Sequence, residues 1–321
     1  LLTGLTALAT DTQSFIVLQF FARMFAVAEV LLAFVVITEE IDAAHRGWGV
    51  GALAALGACG SGLALVLFSL IEVLPYGWRG LYLVGLIPLG FISWMRRGLP
   101  ETRRFERSLE RRPIRIDLAP LKQLILRYPG RLFGIASVVF LLSFAEHSAS
   151  FFGAKYLQEA HGWLPWHYSV MGVFGGFIGV FGSAYAGRLS DRMGRRRIAM
   201  IFLLLHCLCL IAFYQLSGLL LGLLWIGRVF TGIGGDVVLS TYGNEMFPTS
   251  HRSTAAGARM VAGTIGGVLG LYAESILYGY FGSHWTAISV LAALALFAPL
   301  IVRLFPETSG KELEQIADDS R

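Results

Sequence analysis

Charged residues are scarce in this 321-residue sequence: they make up 15% of it, whereas 55% is hydrophobic and the mean hydropathy is +0.65. That balance excludes an ordinary soluble globular protein. The 38 glycines follow no G-X-Y period, which excludes a collagen-like chain. Only three cysteines are present, Cys59, Cys207 and Cys209, and they lie in apolar segments without the paired spacing of a zinc site. We therefore expect no metal and no other cofactor.

The hydrophobic residues come in blocks of about 20, the length that a helix needs to cross ~30 Å of hydrocarbon. Outer-membrane barrel strands would instead alternate in units of about 10 residues, so a barrel is excluded. The sequence predicts an all-α membrane protein with nine full spans and a remnant at residues 1–10. We expect the spans at about residues 15–38, 48–71, 79–95, 132–156, 168–187, 198–216, 219–244, 254–278 and 284–304.

The basic residues responsible for the net charge of +5 lie between the predicted spans, so they indicate membrane topology and not a nucleic-acid surface. Residues 96–131 contain eleven basic and four acidic side chains, and residues 188–197 contain five arginines. Basic loops remain in the cytoplasm. We therefore expect the loop 96–131 and the tail 305–321 to be cytoplasmic, in a protein whose surroundings are a lipid bilayer.

The sequence contains an internal repeat. Pro-Glu-Thr at residues 100–102 recurs at 306–308, an offset of 206; Arg46 and Arg252 also differ by 206, and Arg23 and Arg228 by 205. The same offset places roughly 80 residues, two helices and part of a third, ahead of Leu1. We therefore expect two six-helix repeats: residues 1–95 as the end of helix three to helix six, a loop at 96–131, a six-helix half at 132–304 and a tail at 305–321.

One predicted turn carries the most specific motif. The segment GRLSDRMGRRR at residues 187–197 closely resembles the signature loop of the major facilitator superfamily. Its glycines permit a tight reversal, and its aspartate can accept hydrogen bonds from a helix N-terminus. The resemblance implies a role in conformational change for Gly187, Asp191, Arg192, Gly194 and Arg195.

A second motif agrees with the first. The segment EMFPTSHR at residues 245–252, with its first-half counterpart EEIDAAHRG at 39–47, resembles the sugar-porter and metabolite:proton symporter branches of that superfamily. The Pro-Glu-Thr boxes at 99–105 and 305–313 resemble the ends of helices six and twelve there. The resemblance implies that Glu40, Arg46, Glu245 and Arg252 form cytoplasmic ion pairs across the two halves and stabilise the outward-facing state.

Three carboxylates, those of Glu29, Glu146 and Asp236, fall near the middle of predicted spans, where inserting a charge costs at least about 2.5 kcal/mol. In the superfamily, helices four, seven and ten line a central cavity, and each carries one of these acids. The candidate substrate-binding and proton-binding residues are Arg23, Glu29, Glu146, His147, Arg228 and Asp236. Structural pairing of the acids with Arg228 or Arg259 is the alternative. His206 is expected to be a hydrogen-bonding residue between helices.

Glycines recur on helices five and eleven and predict close-packing faces. They are Gly49, Gly51, Gly57, Gly60, Gly62, Gly257, Gly263, Gly266, Gly267 and Gly270.

The resemblance implies a secondary active transporter of the cell membrane, monomeric, that moves a small polar or organic-acid metabolite by alternating access with proton coupling. No G-x-x-x-x-G-K-[ST] loop for ATP is present. Residues 144–148, FAEHS, replace the Gln-rich signature of sugar porters, so we do not expect a sugar. A uniporter or exporter of the same fold and a non-transporting receptor stay open. An enzyme would need a His/Asp/Cys cluster, and the histidines are scattered.

Overall fold

The computed structural model describes residues 2–40, 46–96, 119–218, 220–248 and 251–309. Within these ranges it does not describe the side chains of residues 96 and 120 or some of those between 31 and 55. The described residues form thirteen α-helices and no strand. The helices are α1 Leu2–Thr6, α2 Thr12–Glu40, α3 Arg46–Ser69, α4 Trp78–Val84, α5 Leu86–Arg96, α6 Ala119–Arg127, α7 Pro129–His161, α8 Pro165–Met193, α9 Arg195–Gln215, α10 Leu220–Glu245, α11 Arg252–Phe281, α12 His284–Ala295 and α13 Phe297–Val302.

Eight helical segments of the described chain are long and apolar enough to cross a membrane, counting α4 with α5 and α12 with α13 as one segment each. This confirms an all-α, multi-pass membrane protein. The ninth expected span, 48–71, coincides with α3, of which Leu56–Ser69 is apolar but shorter than a span. Large apolar side chains on the helices face outward, among them Phe177, 64% exposed, and Met260, 65% exposed. Such faces suit lipid.

The described residues fall into two compact units. One comprises the described residues of 1–115 together with Pro165–Gly172, and the other comprises those of 116–164 and 173–321. In the second unit, α7 packs along α11 and α9 packs along α10. Its hydrophobic core lies where these helices meet α13, around the fully buried side chains of Ile135, Tyr242 and Phe247.

The boundaries of several helices follow from capping. Asp11 precedes α2 and accepts the backbone N–H of Ser14 at 2.8 Å, which lowers the pKa of the Asp11 carboxyl below its ordinary value. Gly162 ends α7 with a φ of 64°, a left-handed conformation that favours glycine. Pro165 then begins α8, where its missing N–H costs no hydrogen bond.

The glycine faces are borne out on one helix only. A Cβ at Gly266 would lie 2.5 Å from the carbonyl oxygen of Phe140, and one at Gly270 would lie 2.0 Å from that of Phe144, so α11 and α7 pack at backbone distance. Gly263 and Gly267 also face α7. At Gly257, and at Gly57, Gly60 and Gly62 of α3, a Cβ would meet no described atom within 4 Å, so for these glycines a close-packing face stays a prediction.

Some expectations lie outside the described residues. These are most of the loop 96–131 with the first Pro-Glu-Thr box, the tail beyond Ser309, the surroundings of Gly49 and Gly51, and the side chains of Glu40 and Arg46. Within the predicted loop the structure describes one further helix, α6, whose Leu124 is fully buried in the core of the second unit.

Candidate functional site

The second unit contains a cavity of about 450 Å³ between α7, α9 and α10. Its polar lining side chains are Ser143, Glu146, His147, Ser150, His206, Arg228 and Asp236. Apolar contacts come from Leu142, Leu203, Trp225, Val229 and Ile233. A largely apolar wall with a few convergent polar groups is typical of a small-molecule site.

Helical periodicity brings these side chains to the cavity. Ser143, Glu146, His147 and Ser150 follow the i, i+3, i+4, i+7 spacing, so they share one face of α7. The cavity residues of α10 repeat the same spacing from Trp225 to Asp236. The sequence therefore contained the pattern that places Glu146, His147, Arg228 and Asp236 together, and the structure brings all four to one cavity.

The centre of the site is an ion pair between α7 and α10. Arg228 is 4% exposed, and its Nη2 lies 2.5 Å from Oε1 of Glu146. The hydroxyl of Ser150 donates to the same oxygen at 2.7 Å, and Nη2 of Arg228 also lies 3.2 Å from the Ser150 oxygen. The guanidinium stands 5.4 Å from the ring of Trp225. These contacts hold a fixed cation beside a carboxylate that is 36% exposed to the cavity.

His206 of α9 completes this group. Its Nδ1 lies 3.1 Å from the backbone oxygen of Arg228, which agrees with the interhelical hydrogen bond expected from sequence. Its Nε2 lies 3.2 Å from Oε2 of Glu146, a contact that sequence reasoning missed. Gly232 makes room for the ring, because a Cβ there would lie 2.7 Å from Nδ1. An ionisable side chain inside a very apolar span was the available signal.

The other candidate residues are more dispersed. Asp236 is exposed at the cavity wall, and Arg259 of α11 is its electrostatic partner. His147 also lines the cavity, with Nδ1 3.1 Å from the backbone oxygen of Ser143. Arg23 and Glu29 lie on α2 in the first unit, where Arg23 is exposed and Glu29 is half-buried.

The signature loop joins α8 to α9 and forms a polar cluster around Arg195. The Arg195 guanidinium contacts Asp191 at 2.5 Å, Glu245 at 3.2 Å and the Ser190 hydroxyl at 2.6 Å. Gly194, with a φ of 103°, makes the reversal between the helices, and Gly187 and Arg192 lie on the last turns of α8. The Arg195–Glu245 pair lies within the second unit, and the ion pairs across the halves that the resemblance implies stay a prediction.

The carboxylate at the start of α9 belongs to Glu307, not to Asp191 as the sequence suggested. The backbone N–H groups of Arg195 and Arg196 donate to Glu307 at 2.8 Å and 3.2 Å. The hydroxyl of Thr308 donates to Glu245 at 2.7 Å, which ties the second Pro-Glu-Thr box to the cluster. Asp191 precedes α9 by four residues and pairs with the Arg195 side chain instead.

The second motif ends in the same region. Arg252 begins α11, and its Nε donates to the backbone oxygen of Phe247 at 3.2 Å. Its expected counterparts Glu40 and Arg46 have side chains outside the described residues. Among the described residues, no group of three or more His, Cys, Asp and Glu side chains could hold a metal ion.

Comparison with known proteins decides the family. The profile of the Major Facilitator Superfamily matches residues 1–223 and 168–320. The chain belongs to the Major Facilitator Superfamily. Its fold is that of the superfamily: the crystal structure of a D-xylose-proton symporter superposes with a TM-score of 0.71, at 17% identity, over 94% of this chain and 73% of that one.

Curated relatives in the superfamily are metabolite transporters. The chain is 29% identical to a probable 4-methylmuconolactone transporter of Cupriavidus pinatubonensis (strain JMP 134 / LMG 1197), over 93% of this chain and 69% of that protein. It is 23% identical to the shikimate transporter of Escherichia coli (strain K12), over 76% of this chain and 57% of that protein. Both of these relatives are transporters of metabolites, and this superfamily member is not an enzyme.

Proposed function

We propose that the protein is a proton-coupled secondary transporter that carries a small organic-acid metabolite across the cell membrane by alternating access. The observation that carries the proposal is the ion pair between the buried Arg228 and the cavity-facing Glu146 at the wall of the 450 Å³ cavity. A guanidinium is the side chain best suited to bind a carboxylate, because its planar N–H groups match the two oxygens.

The relatives support an acid as the solute. Shikimate is a hydroxylated cyclic carboxylate, and 4-methylmuconolactone carries a carboxylate on a lactone ring. Glu146 occupies the position at Arg228 that a solute carboxylate would take. A proton bound within this group of charges would offset the Glu146 carboxylate, so proton and anion binding would favour each other. The cavity residues Asp236 and His147 would contact the polar remainder of the solute, and Arg23 and Glu29 stay candidates in the first unit.

The proposed orientation follows the basic loops. Residues 96–131 and the tail 305–321 would lie in the cytoplasm, and the protein would act as a monomer. The cluster formed by Gly187, Asp191, Arg192, Gly194, Arg195, Glu245 and Arg252, with Glu40 and Arg46 from the first half, would stabilise one state of the cycle. No ATP is required, because an ion gradient or the gradient of the solute drives transport.

A counterflow assay tests the proposal. Proteoliposomes that contain the purified protein and unlabelled shikimate should take up labelled shikimate, while xylose, polar but uncharged, should not exchange. Arg228→Gln should abolish uptake, and Arg303→Gln, which alters an exposed arginine, should not.

The outcomes separate the alternatives. Exchange without accumulation under a pH gradient would identify a facilitative uniporter. Binding of shikimate without exchange would identify a receptor. Exchange of xylose in preference to shikimate, or full activity of the Arg228→Gln variant, would contradict an organic-acid site at Arg228.

A further inference from the structure

The ring of His206 has a hydrogen-bond acceptor on each side. Nδ1 faces the backbone oxygen of Arg228 at 3.1 Å, and Nε2 faces Oε2 of Glu146 at 3.2 Å. The side chain is 11% exposed, so bulk water does not replace either contact. A carbonyl oxygen only accepts, and a carboxylate only accepts while it is ionised. Neutral imidazole has one N–H and can donate to one of them.

The contacts of Glu146 favour its ionised form. Nη2 of Arg228 and the hydroxyl of Ser150 both donate to Oε1, at 2.5 Å and 2.7 Å, and hydrogen bonds of this kind are strongest to a carboxylate. Oε2 is buried, has no hydrogen-bond partner among the described residues, and lies 3.2 Å from Nε2 of His206 as an ion-pair contact. Only an imidazolium donates to both neighbours.

We propose that His206 is the proton-binding residue of this cavity, and that its imidazolium gives the site the positive charge that an anionic solute needs. The proton enters from water on one side, forms the Nε2–H bond that points to Glu146, and leaves to water on the other side. The proposal rests on the proposed function for the solute, but the charge state of His206 stands on geometry alone.

Other ionisable side chains around His206 contribute to the net charge of the site. From α7 come Glu146 and His147, and from α10 come Arg228 and Asp236. The thiol of Cys207, next along α9, is buried. Arg259 of α11 offsets Asp236. His284, the one ionisable residue of α12, pairs with Glu274, and α13 has none.

These charges link the proton to the anion. With His206 neutral, Glu146 cancels Arg228 and the site attracts no anion. With His206 protonated, the group of three carries one net positive charge, which suits one carboxylate. One proton should therefore accompany each monoanion that is transported.

The first test uses no solute. Nitrogen NMR of protein labelled in its histidine rings, in lipid nanodiscs at about pH 7.5, reports which ring nitrogens carry hydrogens. The signal that disappears in His206→Gln should show hydrogens on both nitrogens. Glu146→Gln should convert it to a neutral ring, while Glu159→Gln, on an exposed part of the same helix, should leave it unchanged. A neutral His206 in the wild type, or one indifferent to Glu146→Gln, would overturn the proposal.

The second test measures shikimate counterflow. His206→Gln should raise the half-saturating concentration about tenfold or more and remove its dependence on pH, because Arg228 then stays cancelled by Glu146. The double variant His206→Gln/Glu146→Gln should recover exchange, since Arg228 is left uncancelled; this recovery also shows that the protein folds. Wild-type pH dependence in His206→Gln, or no recovery in the double variant, would contradict the inference. Absence of shikimate exchange in the wild type would instead refute the proposed function and leave the NMR result intact.

Discussion

Arg228 shows how one buried charge organises its neighbours. Placing a guanidinium in a membrane-spanning helix costs at least about 2.5 kcal/mol on insertion scales, so the charge requires partners. Glu146, Ser150 and the Trp225 ring supply them from two helices. These partners stabilise the buried guanidinium. Because Glu146 is also 36% exposed to the cavity, a ligand can reach the pair and take the place of the Glu146 carboxylate beside Arg228.

Glu307 and Asp191 should differ in their effects although both contact the Arg195 turn. Glu307 accepts two N–H groups at the start of α9, so Glu307→Ala should cost about 1–2 kcal/mol and lower Tm in detergent. Asp191 is 62% exposed and forms a surface ion pair, so Asp191→Asn should change stability by less than about 1 kcal/mol while slowing transport. Equal losses of Tm, or wild-type transport in a well-expressed Asp191→Asn, would contradict these roles.

Single residues also show what sequence could provide. The sequence could identify Glu146, Arg228 and Asp236 because charged residues inside apolar spans are rare. Their spacing along each helix also shows which face of the helix they occupy. His206 and Glu307 could not be assigned their contacts, because those depend on how α9 meets α7, α10 and the segment after α13. Periodicity gives the face of one helix and not the rotation or depth of its neighbour.

At the scale of elements, α7 and α11 are held at backbone distance by glycines. Gly270→Ala should destabilise the protein by about 1–3 kcal/mol, because the new Cβ would meet the Phe144 carbonyl oxygen at 2.0 Å and the helices must separate. Gly279→Ala is the control on the same helix, since a Cβ there meets no described atom within 4 Å. Thermal unfolding in detergent measures both; a Tm for Gly270→Ala equal to that of Gly279→Ala would contradict tight packing.

The span boundaries illustrate the reach of hydropathy. Predicted spans such as 198–216 and 219–244 agree with α9 and α10 within a few residues, because Gly194 and the turn near Gly218 interrupt the apolar runs. The helices α7 and α8 extend beyond 132–156 and 168–187, since a helix continues into polar surroundings where its capping residues, here Gly162 and Gly194, lie.

At the scale of the whole molecule, the distribution of basic residues predicts the orientation. Cysteines placed singly at Ser108 and Ser309 in a background without Cys59, Cys207 and Cys209 should resist an impermeant thiol reagent in intact cells, because both segments are expected in the cytoplasm. Both should react once the cells are permeabilised. Ready labelling of either in intact cells would reverse the topology.

The central claim is that Glu146 couples proton movement to solute movement, because its carboxylate holds the proton on His206. Neutralising it should abolish accumulation but spare exchange, because exchange requires no net proton transfer. We would compare shikimate counterflow with accumulation driven by a pH difference in wild type, Glu146→Gln and Glu29→Gln proteoliposomes. The account predicts that Glu146→Gln exchanges shikimate yet fails to accumulate it. Accumulation against the gradient by both variants would contradict proton coupling through these acids and leave Glu146 as a structural partner of Arg228.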